Sequence, residues 1–99
     1  MNITINSLHF KADKKLETFI KEKVTKLGGL YDGILQGDIS LKVENTDKPA
    51  NKITEIRLTV PGIELYAKKQ CETFEEATDM AVDALKKQIL KHKEKIRKK

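Results

Sequence analysis

Tryptophan is absent from this chain of 99 residues, cysteine occurs once and aromatics make up 5% of it, and each shortage closes off a class of function. A lone Cys71 cannot close an internal disulfide, and the opening Met1-Asn2-Ile3-Thr4 has neither a basic leader nor an apolar run of signal-peptide length. The expected compartment is therefore a reducing cytoplasm. No stretch approaches the roughly 18 to 20 apolar residues that a membrane span requires, so a bilayer-crossing chain is not expected. Rings for base stacking are too few: Phe10, Phe19 and Phe74 fit core positions, which leaves only Tyr31 and Tyr66. The two histidines, His9 and His92, stand at opposite ends with no second histidine at i+3 or i+4 and no companion thiol, so neither a metal nor a cofactor is expected. Glycine-rich phosphate loops are missing, and Glu17, Glu22, Glu75 and Glu76 read as solvated helix positions with no acid/base couple among them. Cys71 falls at a strand-to-helix junction, where a cation beside it would lower its pKa, but no histidine and acid accompany it. It reads as a half-buried structural thiol, and an enzyme is not expected.

What is present is charge, unevenly spread. The chain holds 20 Lys+Arg against 15 Asp+Glu, a net +5, so a partner chosen by long-range electrostatics is an anion. Residues 1–82 hold 12 Lys+Arg and 13 Asp+Glu, whereas residues 83–99 hold 8 Lys+Arg against Asp83 and Glu94 alone. The positive charge is thus the C-terminal segment. In that segment Phe74, Ala77, Ala81, Leu85, Ile89, His92 and Ile96 recur at three- and four-residue intervals, one stripe of a helical wheel. Lys87, Lys91, Lys95 and Lys98 fall together elsewhere on the wheel, with Lys86, Lys93 and Arg97 flanking the stripe. Leu90 lies among the lysines, a departure from clean amphipathicity that marks a further contact.

The remaining elements follow from periodicity. Ile3 and Ile5 alternate with Asn2, Thr4 and Asn6 in a first strand. Asp13 caps a helix whose Leu16, Phe19, Ile20, Val24 and Leu27 keep helical spacing until Gly28-Gly29, expected to end it with positive φ. From about Gln36 the pattern changes to period two, with Ile39, Leu41 and Val43 on one side of a second strand. After the polar loop 45–51, Thr54, Ile56, Leu58 and Val60 mark a third strand. Pro61-Gly62 then reverses the chain into a fourth, carrying Ile63, Leu65 and Ala67. Thr73 is the expected N-cap of the last helix, which has acids near its start and cations near its end. The order β-α-β-β-β-α implies an α+β two-layer sandwich: a four-stranded, mostly antiparallel sheet with two helices on one face. One domain spans 1–99. The last helix outruns the sheet, which is expected to leave residues 91–99 beyond the core.

A rigid row of amines, about one per helical turn, suits the phosphates of a structured RNA, read by shape and charge with no base recognition. The residues alone leave a second possibility open, in which the amphipathic end helix docks on an acidic protein or an anionic membrane surface.

The run Leu85-Lys86-Lys87-Gln88-Ile89-Leu90-Lys91-His92-Lys93-Glu94-Lys95 resembles the Leu-x-Arg-Gln-Leu-x-Lys-His-Lys-x-Lys pattern of the short ribosome hibernation-promoting factors, also called sigma-54 modulation proteins. Lys23-Val24-Thr25-Lys26-Leu27 is similar to the Lys-x-x-Lys-Leu of that family, and Met1-Asn2-Ile3-Thr4-Ile5 resembles its first strand; Glu72-Thr73-Phe74-Glu75-Glu76-Ala77-Thr78-Asp79 resembles its Asp-x-Tyr-x-Ala-Ile-Asp, with Glu72, Phe74 and Thr78 where aspartate, tyrosine and isoleucine are usual. The resemblance implies a fold like that of double-stranded RNA-binding domains. It also implies a translation inhibitor of stationary phase and stress, seated in the decoding cleft of the small ribosomal subunit, where it occludes the messenger and transfer RNA sites. Lys23, Lys26, Lys68, Lys69, Lys86, Lys87, Lys91, His92, Lys93 and Lys95 would then touch ribosomal RNA phosphates. Long members of the family carry an added C-terminal dimerising domain after a linker; without one, this chain is expected to act as a monomer, and ribosome pairing would need a separate factor.

Overall fold

In a computed structural model the described residues are 1–8 and 10–97, with the side chains of Ile96 and Arg97 outside the description. The wheel positions expected for Ile96, Arg97 and Lys98 lie outside it too. Six elements follow in the expected order: β1 (Asn2–Leu8), α1 (Lys14–Gly28), β2 (Gln36–Val43), β3 (Lys52–Val60), β4 (Ile63–Cys71) and α2 (Phe74–Arg97). They form the expected α+β two-layer sandwich, with the strands side by side in chain order. β1 runs parallel to β2, with Ile5 opposite Ile39, because α1 is the crossover that returns the chain to the same end of the sheet. The β2–β3 and β3–β4 pairings are antiparallel, so the sheet is mixed with two of its three pairings antiparallel.

The alternation read from sequence sets the layers. Ile39, Leu41, Ile56, Leu58, Leu65 and Ala67 face Ile20, Val24 and Leu27 of α1 and Ala77, Ala81, Leu85 and Ile89 of α2, all buried. Phe74 joins this core, and Phe10 stacks on its ring at 5.1 Å. Asp13 caps α1 by accepting from the Leu16 N–H at 2.8 Å, and Thr73 does the same for α2 through the Glu76 N–H at 3.1 Å.

The two glycine-bearing turns differ in backbone conformation. Val60 pairs with Ile63 across Pro61-Gly62, and Gly62 has φ +85°, the turn chemistry expected there. Gly28-Gly29, by contrast, does not supply positive φ: Gly29 sits at φ −73° in the right-handed region. α1 ends instead by tightening, the Gly29 N–H turning to the Lys26 carbonyl at 3.2 Å and the Leu30 N–H to Leu27 at 3.0 Å.

The long axis of the molecule, 49 Å, is more than a nine-residue strand of about 30 Å can span. The 24-residue α2 accounts for the excess, but its overhang begins later than expected. His92 is half-buried, its ring edge-on to Tyr31 with centroids 5.4 Å apart, because the segment after α1 climbs to cover this turn of α2. Gly33 permits that climb, since a Cβ there would meet the Tyr31 ring at 2.5 Å. On its other flank α2 is fastened to the sheet edge by Gln88, which donates to the Tyr66 carbonyl at 2.9 Å and receives the Tyr66 N–H at 3.4 Å. An edge strand is thereby partly closed to other chains.

Candidate nucleic-acid interface

The amines nominated from sequence separate into groups once folded. Lys23 and Lys26 come from the wet side of α1, and they share a groove between the two helices with Lys86, over a floor of Leu27, Leu30 and Val82. Lys23 lies 3.2 Å from Asp79 across this groove and 5.4 Å from the Phe19 ring centroid. On the far flank of α2, Lys69 at the end of β4 meets Lys87 in a second shallow groove beside Met80 and Ala84. Lys87 is 3.5 Å from Asp83, one helical turn earlier. Lys91 and Lys95 continue that side, both exposed, and Lys93 is half-buried.

Two candidates stand apart. Lys68 belongs to the alternate set of β4, on the sheet face opposite the helices, where it approaches Glu55 at 3.8 Å. The same open face carries Arg57, 3.0 Å from Glu64 and 5.9 Å from the Tyr66 ring centre. His92 turns inward: its Nε2 is buried without a hydrogen-bond partner in the described structure, a geometry suited to packing and not to a phosphate.

Sequence reasoning did not single out Asp79 and Asp83 as neighbours of the amines. The i,i+4 spacing of Asp83 and Lys87 was a usable signal, whereas the Lys23–Asp79 pair depends on how two helices cross. Both pairs are exposed, and such pairs contribute about 0–1 kcal/mol, so an arriving phosphate displaces the carboxylates at little cost. The arrangement offers charge-assisted contacts to a polyanion.

Cys71 is more buried than the sequence suggested, and its Sγ lies 3.3 Å from Met80 Sδ. Burial pushes the thiol pKa up, and a hydrogen bond and negative charge from Glu76 add to the rise. Nearby Lys69 opposes it, so the cation expected to lower the pKa is there but does not prevail. A neutral, sheltered thiol is a poor nucleophile. Among the described residues no helix is long and apolar enough to cross a membrane.

Fold and surface together describe a small α+β module whose last helix carries exposed lysines along its C-terminal half. The chain belongs to the sigma 54 modulation protein / S30EA ribosomal protein family, whose sequence profile matches residues 3–97. It is similar to the ribosome hibernation promoting factor of Pseudomonas putida, 30% identical over 95 residues that cover 96% of this chain and 89% of that protein. The ribosome hibernation promoting factor of Escherichia coli strain K12 is 31% identical over 97 residues, 98% of this chain and 96% of its own length. Among solved structures, a ribosomal subunit interface protein from Coxiella burnetii superposes with a TM-score of 0.83 at 18% identity, covering 94% of this chain and 98% of that one, a likeness of fold.

Proposed function

We propose that this protein is a ribosome hibernation factor: it binds the small ribosomal subunit in the decoding cleft through ribosomal RNA phosphates, and inhibits translation in stationary phase or stress by occluding the messenger and transfer RNA sites. The mechanism is occlusion, without catalysis. The observation that carries the reading is the near full-length similarity to relatives named ribosome hibernation promoting factor, in a chain whose last helix concentrates exposed lysines. Physical chemistry supports it, because amines on a rigid helix release counterions from RNA without first losing their own conformational freedom to folding.

On this reading the contact set consists of Lys23, Lys26, Lys69, Lys86, Lys87, Lys91, Lys93 and Lys95, with Lys68 reaching RNA only on the opposite side of the sheet. His92 contributes by holding the turn from which Lys91 and Lys93 project. On this reading the protein acts in the cytoplasm as a monomer.

Cosedimentation with bacterial small ribosomal subunits tests the reading. The protein is expected to comigrate at low salt and to be released as salt rises, and Lys87→Glu/Lys91→Glu/Lys95→Glu is expected to abolish comigration while leaving circular dichroism unchanged. An unaltered protein that fails to bind subunits at any salt overturns it. Binding to anionic liposomes in place of subunits would assign the lysines to a membrane surface.

A further inference from the structure

The lysines of α2 do not share one face. With about 100° between successive helical residues, Lys87, Lys91 and Lys95 centre on one direction around the axis, and Lys86 and Lys93 on another about 150° away. Between them, on the outward side, the wheel places Asp83, Leu90 and Glu94, all exposed. Packing agrees with the wheel. The groove of Lys86 opens toward α1 and that of Lys87 toward β4, yet Asp83 borders both, so it stands on the crest that divides them.

A flat polyanion laid on this crest would meet two carboxylates and Leu90, an apolar side chain 45% exposed, and would leave the two lysine rows pointing past it on either side. A cleft reverses every term. Each row faces one wall of phosphates, and the crest faces sugar edges between the walls, where RNA offers 2′-hydroxyl donors to the carboxylates and ribose carbons to Leu90. Lys23 and Lys26 extend the Lys86 row across α1, and Lys69 extends the Lys87 row toward β4.

We propose that α2 enters RNA as a wedge, its Asp83–Leu90–Glu94 crest pointing into a cleft and its two lysine rows gripping separate phosphate backbones on the two walls. The proposal rests on the ribosome-binding reading above and adds how the helix is gripped.

Its test is the slope of log Kd against log salt for purified bacterial small ribosomal subunits, to which each phosphate contact contributes about 0.7–0.9. Lys87→Gln/Lys91→Gln/Lys95→Gln and Lys26→Gln/Lys86→Gln/Lys93→Gln are each expected to flatten the slope by about two to three and to weaken low-salt binding by about tenfold or more. Leu90→Ser is expected to weaken binding by about fivefold with the slope unchanged, since it removes apolar contact and no charge. If either triple variant leaves slope and affinity untouched, docking is one-sided and the wedge is overturned; an unaffected Leu90→Ser, with the crest still in water, overturns it as well. Should a triple variant lose its helical circular dichroism, the single glutamine substitutions are read in its place, each expected to change the slope by about 0.7–0.9. Absence of binding by the unaltered protein would sink the ribosome reading itself, a result distinct from loss of the wedge.

Discussion

Thr54 on β3 and Thr78 on α2 meet across the sheet–helix interface with hydroxyl oxygens 3.4 Å apart, and neither residue has any exposed surface. That separation is long for a hydroxyl pair, so the contact itself adds little. Its importance is that each hydroxyl is the other's partner, and a buried polar group left alone costs its full desolvation. Thr78→Val or Thr54→Val alone is therefore expected to lower stability by about 1 kcal/mol, while the double variant returns close to the starting value. Urea unfolding of the three variants checks this; additive losses would mean that the two hydroxyls do not depend on each other. Tyr31 and His92 illustrate the same dependence with rings, since a side chain at Gly33 would push Tyr31 off the turn of α2 that it covers.

Among the elements, α2 carries two obligations. Its Ala77, Ala81, Leu85 and Ile89 close the core, and its other sides present the amines, so a single helix transmits the position of the sheet to the charged surface. The β3–β4 hairpin sets the edge on which α2 leans, through Gln88 and Tyr66, and the hairpin in turn depends on Gly62 at φ +85°. Space is not the constraint there, because nothing lies within 4 Å of a Cβ placed on Gly62; the backbone conformation is. Gly62→Ala is expected to cost about 1–2 kcal/mol through left-handed strain, visible as a lower thermal midpoint with the folded-state circular dichroism unchanged.

For the whole molecule, stability and binding can be separated because the apolar stripe and the lysine rows lie in different sectors of one helix. Leu85→Ala removes a fully buried side chain from the centre of the two-layer core and is expected to cost about 2–5 kcal/mol. Against a total of roughly 5–15 kcal/mol for a domain, that shifts melting strongly yet leaves a folded population at low temperature. Binding to small subunits should then persist in the cold and fail on warming, at the temperature where Leu85→Ala melts. The lysine-to-glutamate variant is expected to do the opposite, melting normally and failing to bind at every temperature. Measuring melting and cosedimentation on both variants would expose any hidden coupling between the two sectors.

The succession of elements was legible in the chain because each one carries its own period: two in Ile39-Leu41 and Ile56-Leu58, three to four in Phe74 through Ile89. Caps at Asp13 and Thr73 and the Pro61-Gly62 reversal were legible for the same reason, since each is a contract between residues three or fewer apart. Much of the candidate surface was also readable, as a charge imbalance confined to residues 83–99. What periodicity does not encode is which elements come to lie side by side. Packing alone set Lys23 against Asp79 and turned His92 inward beneath Tyr31, whereas the separation of Lys68 from Lys69 was already fixed by the period of the strand. Packing also divided the amines of α2 between a groove on α1 and a groove on β4. Local sequence determines backbone conformation through contacts a few residues apart; the grouping of charges was decided only when distant segments buried their apolar sides against one another.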